Sequence, residues 1–155
     1  MAIEIERKFL IANDDWRHDA DDGIRIIQGY MGSNDKSSVR IRVNGDSANI
    51  NIKSKTIGAQ RSEYEYAIPL DDANEILTAL CNRPYIEKTR YHVIFQGHEW
   101  EVDVFSGENE GLIVAELELA DADESFPLPS WIGAEVTDDV RYYNSCLVTH
   151  PYKNW

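Results

Sequence analysis

Polar and apolar residues alternate with a period of two through much of this chain, and the polar positions carry charge of one sign at a time. Glu4 and Glu6 alternate with Ile3 and Ile5, and Lys8 continues their parity. Arg40 and Arg42 lie between Val39, Ile41 and Val43, while Asn49, Asn51, Lys53 and Lys55 alternate with Ile50 and Ile52. Arg61, Glu63 and Glu65 run beside Tyr64 and Tyr66. Lys88 and Arg90 follow, then Glu101 and Asp103 beside Val102 and Val104, and last Glu116 and Glu118 beside Leu117 and Leu119. Residues i and i+2 of a strand share a face, so each segment predicts a strand with one charged and one apolar face. Helices are few. Residues 71–81 read as an amphipathic helix capped by Asp71, and a second helix runs from near Thr137 through Val140, Tyr143 and Leu147. The Asp-rich residues 13–24 predict a loop or a poorly formed turn of helix, and Gly32 to Lys36 a turn or mobile loop.

A single strand of this kind ordinarily turns its charges to water. Taken together the strands read differently. Solvated faces mix both signs, whereas here whole strands are doubly basic or doubly acidic. Like charges so close are unfavourable unless a counter-charge or ligand lies between them. Turned inward, seven or eight such strands close an antiparallel barrel with a basic wall, an acidic wall and room for a small ligand.

Composition narrows the ligand. With 155 residues, 43% hydrophobic and 28% charged, the chain suits one globular domain over 1–155. A net charge of −13 argues against nucleic acid and anionic membranes as partners. No apolar run reaches the roughly 20 residues of a membrane span, and the first residues lack a secretory pattern. Cys81 and Cys146 are too few for a zinc cluster and read as core thiols, which points to the cytoplasm. His18, His92, His98 and His150 show no metal-ligand spacing.

The clustering of cations nevertheless favours an anion of high charge. A triphosphate needs several cations at once, and Lys8, Arg40, Arg42, Lys53, Arg61, Lys88 and Arg90 can supply them. No glycine-rich phosphate loop is present, so side chains must form the cradle. Carboxylates beside phosphate need a hard divalent cation between them, Mg²⁺ or Mn²⁺. Glu4, Glu6, Glu116 and Glu118 are the first candidates to hold it, followed by Glu63, Glu65 and Asp103.

Glu4-Ile5-Glu6-Arg7-Lys8 resembles the opening E-x-E-x-K strand of the CYTH superfamily, the triphosphate tunnel metalloenzymes. The likeness continues in order through Gln28-Gly29-Tyr30, Arg40-x-Arg42, Lys53, Arg61-x-Glu63-Tyr64-Glu65 and Glu87-Lys88-Thr89-Arg90-Tyr91. Asp103, Gly107, Ala115-Glu116-x-Glu118, Trp131, Glu135-Val136-Thr137, Arg141-Tyr142 and Asn144 complete it. The resemblance implies a mainly β (α+β) fold, a closed eight-stranded antiparallel tunnel with a few peripheral helices. It also implies catalytic roles for Lys8, Glu4 and Glu6, and a ligand contact or lid role for Tyr30. Gln28-Gly29-Tyr30-Met31-Gly32 looks like the tripolyphosphatase branch. The expected activity is therefore metal-dependent hydrolysis of inorganic tripolyphosphate. Class IV adenylyl cyclase, thiamine triphosphatase and a non-catalytic polyphosphate or nucleotide module stay open as alternatives, as does a homodimer.

Overall fold

The charged strand faces turn inward, and the apolar faces become the outer surface of a barrel that other segments then cover. The computed structural model describes residues 2–155. Its strands are β1 (Ile3–Ile11), β2 (Ile24–Ser33), β3 (Ser37–Asn44), β4 (Ser47–Ser54), β5 (Gln60–Ile68), β6 (Ile86–Phe95), β7 (His98–Ser106), β8 (Ile113–Glu118) and β9 (Ile132–Glu135). Eight form an antiparallel ring in the order β5-β4-β3-β2-β6-β7-β8-β1, and β1 pairs with β5 to close it. That seam is short, with Ile3, Glu4 and Ile5 opposite Ser62, Arg61 and Gln60. Further along, β1 pairs with β9 through Phe9 and Ile11, so β9 is a ninth strand outside the ring.

The apolar faces are covered by elements that alternation alone does not reveal. Phe9, Trp100, Val102, Ala115 and Leu117 pack with Trp16 and Trp131. Trp16 sits on a short 3₁₀ helix, Asp15–His18, inside the segment expected to be a loop or weak turn. It is completely buried, with its ring 5.3 Å from that of Tyr91. Burying an aromatic of this size ties the segment to the barrel more firmly than its Asp-rich composition suggests.

The first helix, α1 (Leu70–Leu80), lays Ala73 and Leu77 against Ile41 and Ala48. Its N-cap is Pro69, not Asp71. Asp71 lies within the first turn, where its charge still favours the helix dipole. The helix meets β2 so closely that a Cβ on Gly29 would lie 2.8 Å from both the Cys81 Cβ and a Leu77 methyl carbon.

The second expected helix is broken in two, a 3₁₀ turn at Val140–Tyr142 and then α2 (Asn144–Thr149). Tyr143 between them is extended, at φ −72° and ψ 135°. Tertiary contacts hold it there. Its hydroxyl donates to the Thr137 carbonyl at 2.8 Å and accepts from the Gly58 amide at 3.1 Å. No helix among the described residues is long and apolar enough to cross a membrane.

Candidate active site

The ring encloses a cavity of about 290 Å³. Arg40 and Arg42 enter it from β3, Lys88 and Arg90 from β6, and Tyr30 from β2. Glu4, Glu6 and Lys8 enter from β1, Lys53 from β4, Arg61, Glu63 and Glu65 from β5, and Glu116 and Glu118 from β8. Strand parity explains the gathering, because each pair sits at i and i+2 on the concave side.

The expected separation into one basic and one acidic wall holds only in part. The charges that β3 and β6 bring to the cavity are all basic, but on the opposite side cations and carboxylates interleave. Lys53 Nζ lies 3.1 Å from Glu4 and 3.1 Å from Glu63, and Arg61 lies 3.8 Å from Glu4. Lys8 Nζ is 3.4 Å from Glu116 and its ammonium stands 5.5 Å from the Tyr143 ring centre. Internal pairing thus removes much of the repulsion that the charge pattern alone implies.

Asp103 does not line the cavity, which corrects its expected place among the metal ligands. It is fully buried behind the basic wall, with Arg90 donating to both its oxygens at 2.8 and 2.9 Å and Lys88 donating at 2.7 Å. Although burial opposes ionisation, Arg90 and Lys88 hold its carboxyl down to about 2. Asp103 is the counter-ion that positions two phosphate-binding candidates. Breaking a buried pair leaves uncompensated charge, so Asp103→Ala is expected to cost roughly 3–5 kcal/mol of stability. A denaturant midpoint equal to the parent's would show that Lys88 and Arg90 need no such support.

Glu101 takes the opposite part. It is not among the residues expected to hold the cation, yet it lines the cavity and accepts from Arg90 at 3.0 Å. Its shared parity with Asp103 was the available signal. Carboxylate oxygens of Glu6, Glu101 and Glu116 all lie within 4.8 Å of one another. Such hard oxygen donors on neighbouring strands fit a hard divalent cation. Burial, then Glu116 and Glu4, push the Glu6 carboxyl up to about 8, and burial raises Glu4 to about 7 despite Lys53. Burial and the Glu63 and Glu101 carboxylates also raise Glu118. Glu116 is held well below the usual carboxylate range: burial opposes this, but Lys8 and Arg90 outweigh it.

On the basic wall, burial together with Arg40 and Arg90 lowers Arg42 to about 10. Arg42 Nε donates to Gln28 at 2.8 Å, and Gln28 in turn donates to Asn144 at 3.0 Å. Burial, with Arg90 and Arg42 close by, keeps Lys88 down to about 7 against the pull of Asp103. Tyr143, Asn144 and Ser145 line the cavity from the start of α2. None of the three stands out by strand parity, since a helix end brings them in. Lys55 is exposed and stays off the lining. Arg141 is likewise outside, bound to Asp139 at 2.7 Å.

An eight-stranded antiparallel ring with its charges turned inward defines a tunnel protein suited to a compact polyanion. The chain belongs to the CYTH family, whose domain model matches residues 2–146. It is 50% identical over 155 residues to an inorganic triphosphatase of Acetivibrio thermocellus, covering 100% of this chain and 99% of the relative. It is 37% identical over 150 residues to an inorganic triphosphatase of Nitrosomonas europaea, covering 93% and 95%. The crystal structure of the inorganic triphosphatase NE1496 matches with a TM-score of 0.68 at 34% identity, covering 96% of this chain and 95% of that one.

Proposed function

We propose that this protein hydrolyses inorganic tripolyphosphate inside the tunnel, in a reaction dependent on Mg²⁺ or Mn²⁺. The observation that carries the reading is the state of Arg40 and Arg42. Every other lining cation has a carboxylate within 4.0 Å, namely Lys8, Lys53, Arg61, Lys88 and Arg90. Among the described residues Arg40 and Arg42 have none, and Arg40 Nε is buried without any partner. Two adjacent guanidiniums without counter-charge call for a multivalent anion.

Two further points support a purely inorganic substrate. Two relatives that match over nine-tenths or more of their length are inorganic triphosphatases. The lining is almost wholly charged or amide, with Tyr30 and Tyr143 its only rings, and offers little apolar surface to an adenine or thiazole. This weighs against the adenylyl cyclase and thiamine triphosphatase readings.

In this reading Arg40, Arg42, Lys88 and Arg90 hold the phosphate chain, with Lys53 and Arg61 at the seam. Lys8, on β1 across the ring from the basic strands, can stabilise charge on the phosphate that leaves. Glu6, Glu116 and Glu118 hold the cation, with Glu63, Glu65 and Glu101 alongside. Bound there, the ion would neutralise phosphate charge and lower the pKa of a water. Glu4 shares the inward face of β1 with Glu6 and holds Lys53 at 3.1 Å, which keeps that lysine at the seam. The ring is complete within one chain, so no second copy is required. The unpaired thiols Cys81 and Cys146 suit a reducing cytoplasm.

Phosphate release from tripolyphosphate, pyrophosphate, ATP and thiamine triphosphate tests this directly. Tripolyphosphate should be cleaved at least roughly tenfold faster than pyrophosphate, the value of one lost charged contact. Excess chelator should abolish the reaction. Cyclic AMP formation from ATP, with little release from tripolyphosphate, would transfer the protein to the cyclases.

A further inference from the structure

Asn51 interrupts the charge pattern of the lining. It lies on β4 directly opposite Arg40 of β3 on one side and Glu65 of β5 on the other. It lines the cavity at only 1% exposure. Its Nδ2 donates to Glu65 at 3.2 Å, while its Oδ1 is buried with no partner. Across these three strands the order is therefore cation, neutral amide, carboxylate. Asn49, one step along, also lies opposite an arginine, Arg42, with its own Oδ1 unpartnered, but its β5 neighbour is Ala67 and it stays off the lining.

Charge explains why this level carries an amide. Adjacent strands are about 4.8 Å apart, so a carboxylate at position 51 would stand beside Arg40 and pair with it. A lysine would instead pair with Glu65 and repel Arg40. The neutral amide does neither. It holds Glu65 by donating to it and keeps that carboxylate a full strand away from the guanidinium. Arg40 stays unpaired for that reason, and the Asn51 Oδ1 is left as a buried acceptor without a partner on a residue that lines the cavity.

We infer that Asn51 is a specificity-determining residue of the tunnel, which keeps Arg40 free for a phosphate oxygen and offers its Oδ1 to a donor that arrives with the ligand. That donor is a protonated phosphate oxygen or a water carried in with the anion. The inference rests on the triphosphatase reading and extends it to a residue outside the charged set.

Asn51→Asp is nearly isosteric and places a competing carboxylate beside Arg40, whereas Asn51→Leu removes the amide without adding charge. Steady-state phosphate release and calorimetric binding of tripolyphosphate are measured for both, with melting temperatures recorded as a fold check. Asn51→Asp should raise KM and Kd by roughly tenfold or more, and Asn51→Leu by roughly threefold, with kcat the less affected in each. A residue that only packs would move the melting temperature and leave KM in place. Equal KM in the parent and in Asn51→Asp would overturn the inference while leaving the triphosphatase reading intact. A parent protein that neither binds nor cleaves tripolyphosphate would overturn both. Should Asn51→Asp fail to fold, the Asn51→Leu result decides: an unchanged KM and Kd there would overturn the inference as well.

Discussion

The Arg40→Ala, Arg42→Ala double variant is expected to lose roughly 10²–10⁴-fold in kcat/KM for tripolyphosphate. Each charged hydrogen bond to phosphate contributes about 1.5–3 kcal/mol, and the two sites act on one ligand. The remaining cations are already engaged with carboxylates, so they compensate poorly. Stability should respond with the opposite sign. Burial and the neighbouring Arg40 and Arg90 depress the folded pKa of Arg42 to about 10, so its charge is held at a cost below that pH. Without ligand the double variant should therefore melt no lower than the parent. Steady-state kinetics and a thermal melt on the same preparation check both halves. An unchanged kcat/KM would remove the two arginines from the phosphate path.

Glu6→Gln should lower turnover severely while stabilising the ligand-free protein. Gln keeps the size of Glu6 and removes the carboxyl that would ionise onto a cation beside Glu101 and Glu116, and loss of one such electrostatic group costs about 10²–10³-fold in rate. The stability effect follows from its carboxyl, raised to about 8 in the fold from an ordinary 4.5. Below pH 4.5 both folded and unfolded chains hold the proton and nothing is lost. Between pH 4.5 and 8 the unfolded chain has released it while the fold retains it, so stability falls as pH rises. At pH 7 the cost is on the order of 3 kcal/mol, which Gln does not incur. For a domain of this size that is roughly 5–10 °C in Tm. The gap between variant and parent should widen from pH 5 to pH 8 in chelator, and narrow when Mg²⁺ and tripolyphosphate are supplied together. A gap independent of pH would mean that Glu6 is not a strained carboxylate.

The seven charged alternating segments read between Ile3 and Leu119 appear as seven of the ring's eight strands, β2 being the eighth, and the inward set Glu4, Glu6, Lys8, Arg40, Arg42, Lys53, Arg61, Lys88, Arg90, Glu116 and Glu118 lines one cavity. These features were legible because a two-residue period is local. Side chains at i and i+2 share a face whatever the rest of the chain does. The covering elements were less legible. Trp16 lies in an acidic segment with no periodicity, and only its burial against Tyr91 reveals why the segment folds as it does. Tyr143 breaks an otherwise plausible helix because its hydroxyl finds Thr137 and Gly58, partners distant from any helical register.

By itself, then, the sequence determined which residues share a face, that like charges recur on those faces, and hence that an ion-binding barrel was the consistent outcome. The tertiary structure decided which charges remain free. Glu101 and Asp103 are indistinguishable by parity, yet one enters the cavity and the other is spent between Arg90 and Lys88. Arg40 and Arg90 are likewise equivalent in pattern, but Arg90 meets three carboxylates and Arg40 faces the amide of Asn51. Coulomb energy depends on the distance between strands remote in sequence, and that distance is set only when the ring closes.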